Sequence, residues 1–124
     1  MIKATFFKDS QGQYRGFSLL GHAGYAEHGY DIICASVSAL SVNTVNSIEK
    51  FTDDSFEASV DEETGMLTCR FNGSVSKESD LLINSLLLGL EGIRDDYAEN
   101  TYIQIFIKLN AKIVNFLDRI FTRI

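Results

Sequence analysis

The chain has 124 residues, of which 45% are hydrophobic and 23% are charged, and its formal net charge at pH 7 is −6. This length and composition are typical of one packed globular domain. The negative charge disfavours direct nucleic-acid binding, which depends on clustered Lys and Arg, and favours a basic protein or peptide as partner. No apolar run approaches the ~20 residues that cross a bilayer, and no signal sequence opens the chain. We therefore expect a soluble, cytoplasmic protein without a membrane partner.

The first half of the chain predicts a hairpin, a loop and a helix. Residues 2–8 and 13–20 have the pattern of two strands joined by a short polar turn. Residues 22–30 contain two glycines and no apolar period, which predicts an irregular loop. From about residue 32 to residue 51 apolar side chains recur at helical spacing, and Asp31 is placed as the N-cap. The expected buried stripe of this helix is Val37, Leu40, Val45, Ile48 and Phe51.

The second half predicts another hairpin, another helix and a last strand. Two short segments around residues 56–61 and 67–72 alternate between apolar and polar side chains. Ser76 is placed to cap a second helix, whose expected buried stripe is Leu82, Leu86, Ile93 and Tyr97, widened by Leu81, Leu88 and Leu90. Residues 101–109 are rich in β-branched and aromatic side chains, as in a strand.

These elements predict an α+β fold of the order ββαββαβ, with two helices packed on one face of a small, mainly antiparallel sheet. Residues 1–109 form the expected domain. Residues 110–124 form an expected helical extension, because Ile113, Leu117, Ile120 and Ile124 fall at helical spacing among basic side chains. We expect this amphipathic helix to cover the domain or a dimer partner.

Reactive side chains concentrate in one region of the sequence. His22 and His28, which are all the histidines of the chain, precede Cys34 within the segment 21–38. If Asp31 caps the helix, Cys34 is its third residue, where unpaired N–H groups and the helix dipole stabilise a thiolate. A neighbouring imidazole would complete a nucleophile and base pair, and Asp31 could orient that imidazole. The residues alone do not choose between His22 and His28.

Other interpretations of these side chains remain open. Free cysteines are most often small core residues, which is the expected role of Cys69 in the middle of a strand and an alternative for Cys34. No export signal is seen, so both cysteines are expected to be thiols. His22, His28 and Cys34 could instead hold a zinc ion, although no familiar zinc motif supports it. No phosphate-binding glycine motif is present, and no cofactor is expected.

Three segments together resemble the signature of the ribosomal-processing cysteine protease family. These are the stretch 21–23 (Gly-His-Ala), the stretch 29–35 (Gly-Tyr-Asp-Ile-Ile-Cys-Ala), and Val37 with Ser38. The resemblance includes the gap between His and Cys, the Asp three residues before Cys34 and the Ser four residues after it. It extends through the ββαββαβ order to about residue 109 and does not include the extension.

The resemblance implies a bacterial, homodimeric enzyme that removes a short N-terminal extension from a large-subunit ribosomal protein, cleaving after an aromatic residue. By position, Cys34 is the implied nucleophile and His22 the implied base, with Asp31 and Ser38 supporting the site. His28 falls in a variable part of the loop. The alternative function is a non-catalytic, ribosome-associated or peptide-binding module in which Cys34 only packs the helix.

Overall fold

The structure is a computed structural model that describes residues 1–21, 30–96 and 103–109, without the side chains of Tyr30 and Asp31. Its elements in chain order are β1 (Ile2–Lys8), β2 (Tyr14–Leu20), α1 (Tyr30–Phe51), β3 (Phe56–Val60), β4 (Leu67–Phe71), α2 (Lys77–Asp96) and β5 (Ile103–Leu109). A mixed α+β fold with a five-stranded sheet and two helices is therefore confirmed. The expected helix in residues 110–124 lies outside the described residues.

The sheet has the strand order β3-β4-β2-β1-β5, with β1 and β5 parallel and every other pair antiparallel. Phe6 lies opposite Phe17, and Phe17 lies opposite Cys69, so these three side chains share one face. All three are buried, and they belong to a core cluster that also contains the buried residues of both helices. This face of the sheet is therefore the one that packs against α1 and α2.

Aromatic side chains connect the sheet to the second helix. The ring centroid of Phe6 lies 6.1 Å from that of Tyr14 and 6.0 Å from that of Phe17. The Tyr14 hydroxyl donates a hydrogen bond to Asn84 Oδ1 in α2 over 2.8 Å. Burial of each such side chain contributes about 1.5–3 kcal/mol, and the hydrogen bond satisfies the one polar atom that Tyr14 brings into the core.

Helix α1 differs from the prediction at both ends. It begins at Tyr30, so Asp31 lies in the first turn and not at the N-cap. An acidic residue is stable there because the N-terminal end of the helix dipole is positive. At the other end, Phe51 is 70% exposed and does not join the buried stripe, whereas Val37 and Ile48 are buried as predicted.

The expectation that no apolar segment is long enough to cross a bilayer was wrong for helix α1. Its residues 32–51 are long and apolar enough, by length and composition alone, to cross a bilayer. This is weak evidence for a membrane span, since the core helix of a soluble protein passes the same test. In α1, Ile33, Val37 and Ile48 pack into the core, and the buried hydroxyl groups of Ser41 and Thr44 donate to carbonyl groups one turn earlier.

Helix α2 begins as predicted, and its buried face agrees with the predicted stripe in part, since Leu86 and Leu90 are buried and Leu82 and Ile93 pack partly buried against the core. The Ser79 amide donates to Ser76 Oγ over 3.1 Å, which confirms Ser76 as the N-cap. The buried face is Ser79, Ile83, Leu86 and Leu90, spaced four, three and four residues apart. Leu81 and Leu88 are 68% and 72% exposed, so they do not widen the core stripe as predicted. Tyr97 lies outside the described residues.

Strand β3 also departs from the predicted burial. Ala58 and Val60 alternate with polar residues and lie on the same side of the strand as Phe56, yet both are exposed. The strand pairs only with β4 and forms the edge of the sheet. Only Phe56 packs against the core, so the alternation in β3 follows the pleat but does not mark a buried face.

Candidate active site

Cys34 lies near the N-terminal end of α1, as the fifth helical residue. It was expected at the third position, and the earlier start of the helix accounts for the difference. The Cα–Cβ bond of a helical residue tilts toward the N-terminus, so the Cys34 side chain still leans toward the first turn and its unpaired amides. Cys34 is a thiol, is only partly buried and packs against the edge of the core. It is thus both held in place and accessible.

The predicted supporting residues lie within one turn of Cys34 along the helix. Ser38 is exposed and follows Cys34 by four residues, which places the two on one face of α1. The backbone of Asp31 is in the first turn, three residues before Cys34, while its side chain is outside the described part of the structure. Ser36, between them, donates its hydroxyl to the Ile32 carbonyl over 2.8 Å.

The strand that leads to the candidate base ends beside the start of β1. Leu20, the last residue of β2, lies opposite Lys3. Gly21 follows as the last described residue before His22, and the chain is described again from Tyr30, where α1 begins. His22 therefore follows directly on a residue fixed at the end of the sheet. Both candidate bases, His22 and His28, lie outside the described residues.

Gly21 makes close contacts on two sides. A Cβ atom placed on Gly21 would lie 2.7 Å from Cγ1 of Ile2, the residue opposite it if the β1–β2 register continues. A Cβ atom placed on Gly65 would lie 3.5 Å from the carbonyl oxygen of Gly21. Gly65 closes the β3–β4 turn, where its amide donates to the Asp61 carbonyl over 2.7 Å. The end of β2 thus lies between the start of β1 and this turn.

Cys69 has the structural role that the sequence predicts. It is 1% exposed in the middle of β4, opposite Phe17 on one side and Ala58 on the other. Burial raises the pKa of its thiol to about 11, because the low-polarity core disfavours the thiolate. Cys69 is therefore protonated near neutral pH and is a poor nucleophile.

The zinc interpretation remains untested. Within residues 1–21, 30–96 and 103–109, no three His, Cys, Asp or Glu side chains are grouped so that they could hold a metal ion. Two of the three proposed ligands, His22 and His28, are not among these residues, whereas Cys34 is.

The described geometry suits nucleophilic chemistry at Cys34. A partly exposed thiol can meet a carbonyl carbon, and the first-turn amides are donors for an oxyanion. Ile2, which lies against Gly21, was not predicted as a neighbour of the site. The contact depends on the observed β1–β2 register, in which Lys3 lies opposite Leu20 and the pairing shifts at Lys8, and the sequence does not specify that register.

Comparison with known proteins gives a family match over residues 1–104, to the family described as cysteine protease Prp. The ribosomal processing cysteine protease Prp of Staphylococcus aureus is 30% identical over 112 residues, which cover 90% of this chain and all of that protein. The protein of the same name from Bacillus subtilis is 32% identical over 104 residues, covering 81% of this chain and 93% of its own length.

A solved structure is similar as well. The crystal structure of the ribosomal processing protease Prp from S. aureus, in complex with a covalently linked product peptide, superposes with a TM-score of 0.76. It is 28% identical, and the match covers 87% of this chain and all of that one. The similarity therefore spans the whole of that enzyme's fold.

Proposed function

The chain belongs to the cysteine protease Prp family and is a cysteine protease, and we propose that it removes the short N-terminal extension of a large-subunit ribosomal protein in the cytoplasm of a bacterium. The observation that carries the proposal is the contrast between the two cysteines. Cys34 is accessible near the start of α1, whereas Cys69 is buried with a pKa of about 11. Of the two thiols, only Cys34 can meet a peptide.

In the proposed reaction, Cys34 is the nucleophile and His22 is the general base. His22 takes the thiol proton, and the Cys34 sulfur attacks the scissile carbonyl carbon to form a tetrahedral intermediate. The C–N bond then breaks as the imidazolium returns the proton to the departing amine, which leaves a thioester on Cys34. Water, deprotonated by the same imidazole, hydrolyses the thioester and regenerates the thiol.

Three nearby groups would support this reaction. Amides of the first turn of α1 would donate to the oxyanion of the tetrahedral intermediate, where each such donor lowers the barrier by about 3–4 kcal/mol. Asp31, in the same turn, would orient the imidazole through a hydrogen bond. Ser38, exposed on the face of α1 that carries Cys34, would contact the substrate or the imidazole from the next turn.

The charge of the chain fits the proposed substrate. The net charge is −6, and ribosomal proteins that contact RNA are basic because they neutralise phosphates. Opposite net charges increase the rate at which such partners meet. The proposed cleavage follows an aromatic residue of the extension, and no cofactor takes part in any step.

We also propose that the enzyme acts as a homodimer. Leu81 and Leu88 lie seven residues apart on the outer face of α2 and are among the most exposed large apolar side chains of the described residues. Two such faces packed together would remove these side chains from water, a common basis for two-fold dimers.

Incubation with a peptide that carries an aromatic-ending N-terminal extension tests the proposed function. We expect cleavage at a single peptide bond, directly after the aromatic residue, as read from the masses of the two products. The matched control is the same peptide with Ala in place of the aromatic residue, which we expect to be cut much more slowly. If neither peptide is cut, or both are cut equally fast, the proposed substrate is wrong.

A further inference from the structure

The two strands of the first hairpin approach each other unusually closely where β2 ends. An ideal Cβ atom on Gly21 would lie 3.4 Å from the Cβ atom of Ile2 and 2.7 Å from its Cγ1 atom. Residues directly opposite in an antiparallel pair normally keep their Cβ atoms about 4.5–5.5 Å apart. The chain therefore passes over Ile2 at a distance that only a residue without a side chain allows.

Ile2 cannot move aside to accept a side chain at residue 21. Ile2 is 3% exposed and belongs to the core cluster, and on the side away from β2 it pairs with Ile103 of β5. Its β-branched side chain has a restricted χ1 angle, and Cγ1 is held close to the backbone. A Cβ atom on Gly21 would instead displace the backbone of Gly21 itself.

Backbone conformation does not explain why residue 21 is glycine. Gly12, Gly16 and Gly65 have φ angles in the region that favours glycine, but Gly21 does not. Alanine could adopt the backbone angles of Gly21, so the contact with Ile2 is what excludes it. On the opposite side, the turn that contains Gly65 lies against the Gly21 carbonyl oxygen.

We propose that Ile2 and Gly21 are a pair of positioning residues, and that their close contact sets the place where the chain leaves the sheet toward His22. This inference rests on the proposed role of His22 as the base. His22 is bonded directly to Gly21, so a shift of Gly21 moves the histidine backbone with it. Relief of the 2.7 Å contact needs a shift of about 1 Å, and such a misplacement can reduce a rate by about 100-fold.

Cys34 is anchored through α1. Its neighbour Ile33 is 1% exposed, and Val37 on the next turn is 5% exposed, so α1 is held to the core by its own buried face. A shift of Gly21 therefore moves the histidine relative to a thiol that stays in place. The expected result is a loss of catalysis without a loss of fold.

A four-protein cycle tests the pair: wild type, Gly21→Ala, Ile2→Ala and the double variant. We expect Gly21→Ala to lower kcat about 100-fold with little change in KM and with a folded circular dichroism spectrum. Because Ile2→Ala removes the Cγ1 atom, the double variant should recover at least about tenfold of the lost kcat. Gly73→Ala is the matched control, since nothing lies within 4 Å of a Cβ atom at that position.

Two results would overturn the inference: wild-type kcat in Gly21→Ala, or a double variant no faster than Gly21→Ala. The rate at which iodoacetamide alkylates Cys34 is a second measurement that needs no substrate. We expect slow alkylation in Gly21→Ala and recovery in the double variant, and equal rates in all four proteins would again overturn the inference. If the wild type cleaves no peptide but alkylation is slow in Gly21→Ala and recovers in the double variant, the proposed substrate is wrong. The role of Ile2 and Gly21 as positioning residues would still stand.

Discussion

Asp54 holds Ser76 through two hydrogen bonds to a single carboxylate oxygen, one from the Ser76 amide over 2.9 Å and one from the Ser76 hydroxyl over 2.7 Å. Ser76 in turn caps α2 by accepting a hydrogen bond from the Ser79 amide. Burial alone would raise the pKa of Asp54, but hydrogen bonds from Ser79 and Ser76 outweigh it and lower the pKa below its usual value. The Asp54 carboxylate, three residues beyond the end of α1, thus fixes the start of α2.

Asp54→Asn should therefore destabilise the protein at neutral pH, by about 1 kcal/mol after allowance for solvent screening. The folded-state pKa of Asp54 is lower than the unfolded one, so its contribution is present above the unfolded value and is lost as pH falls through the folded value. Urea unfolding of both proteins at neutral and at acidic pH measures this, and the difference should shrink in acid. Asp53→Asn, at an exposed neighbour, is the control; an equal loss there would contradict the assigned hydrogen bonds.

Alkaline pH should destabilise the protein through Cys69. The pKa of this thiol is about 11 in the folded chain, against 9.0 for an ordinary cysteine, so the unfolded chain loses its proton first. The contribution of the buried thiol is complete below pH 9 and falls by on the order of 2 kcal/mol as pH rises through about 11. Unfolding free energies measured across this range should decline less steeply for Cys69→Ala than for wild type. Parallel curves would exclude this thiol as the source.

Leu88→Glu should dissociate the proposed homodimer, because a charge on the outer face of α2 would be buried without a partner. Light scattering on the eluted protein should show a dimer for the wild type and a monomer for the variant. Val60→Glu is the matched control, since Val60 is 61% exposed on the edge strand β3. A wild type that is monomeric at micromolar concentration, or a variant that stays dimeric, would remove α2 as the interface.

His22→Ala should lower the kcat of peptide cleavage by about 100- to 10,000-fold, the range typical of a lost general base. His28→Ala should leave kcat close to the wild-type value, because the family resemblance assigns the base to position 22. Both variants are measured on the same peptide at one pH. The reverse pattern would transfer the role of base to His28, and activity in both variants would leave the reaction without a histidine base.

Local signals in the sequence were sufficient for several features. The alternating residues and polar turn of the first hairpin predicted β1 and β2, and Ser76 was predicted as the cap of the second helix because serine favours that position. Each of these depends on chemistry within a few residues. The assignment to a family of cysteine proteases likewise came from a short segment, residues 21–38. The spacing of Gly, His, Asp, Cys and Ser in that segment carries the resemblance.

Features that depend on contacts between distant segments were not predictable in the same way. In α2, several leucines follow one another closely, so their spacing does not select a face. The packing of α2 against α1 selects the face. Gly89 lies so close to Leu40 of α1 that a Cβ atom on Gly89 would be 2.9 Å from Leu40 Cδ1. That contact helps to orient α2, with Ile83 inside and Leu88 outside. The Ile2–Gly21 contact is similar, because it follows from strand register.

The central claim is that Cys34 is the nucleophile, and the kcat/KM of three proteins on one extension peptide tests it most directly. The proteins are wild type, Cys34→Ala and, as the matched control, Cys69→Ala. We expect Cys34→Ala to show no cleavage above the buffer blank and Cys69→Ala to stay within about tenfold of wild type, since it loses only core packing. Cleavage by Cys34→Ala at the wild-type rate would contradict the account.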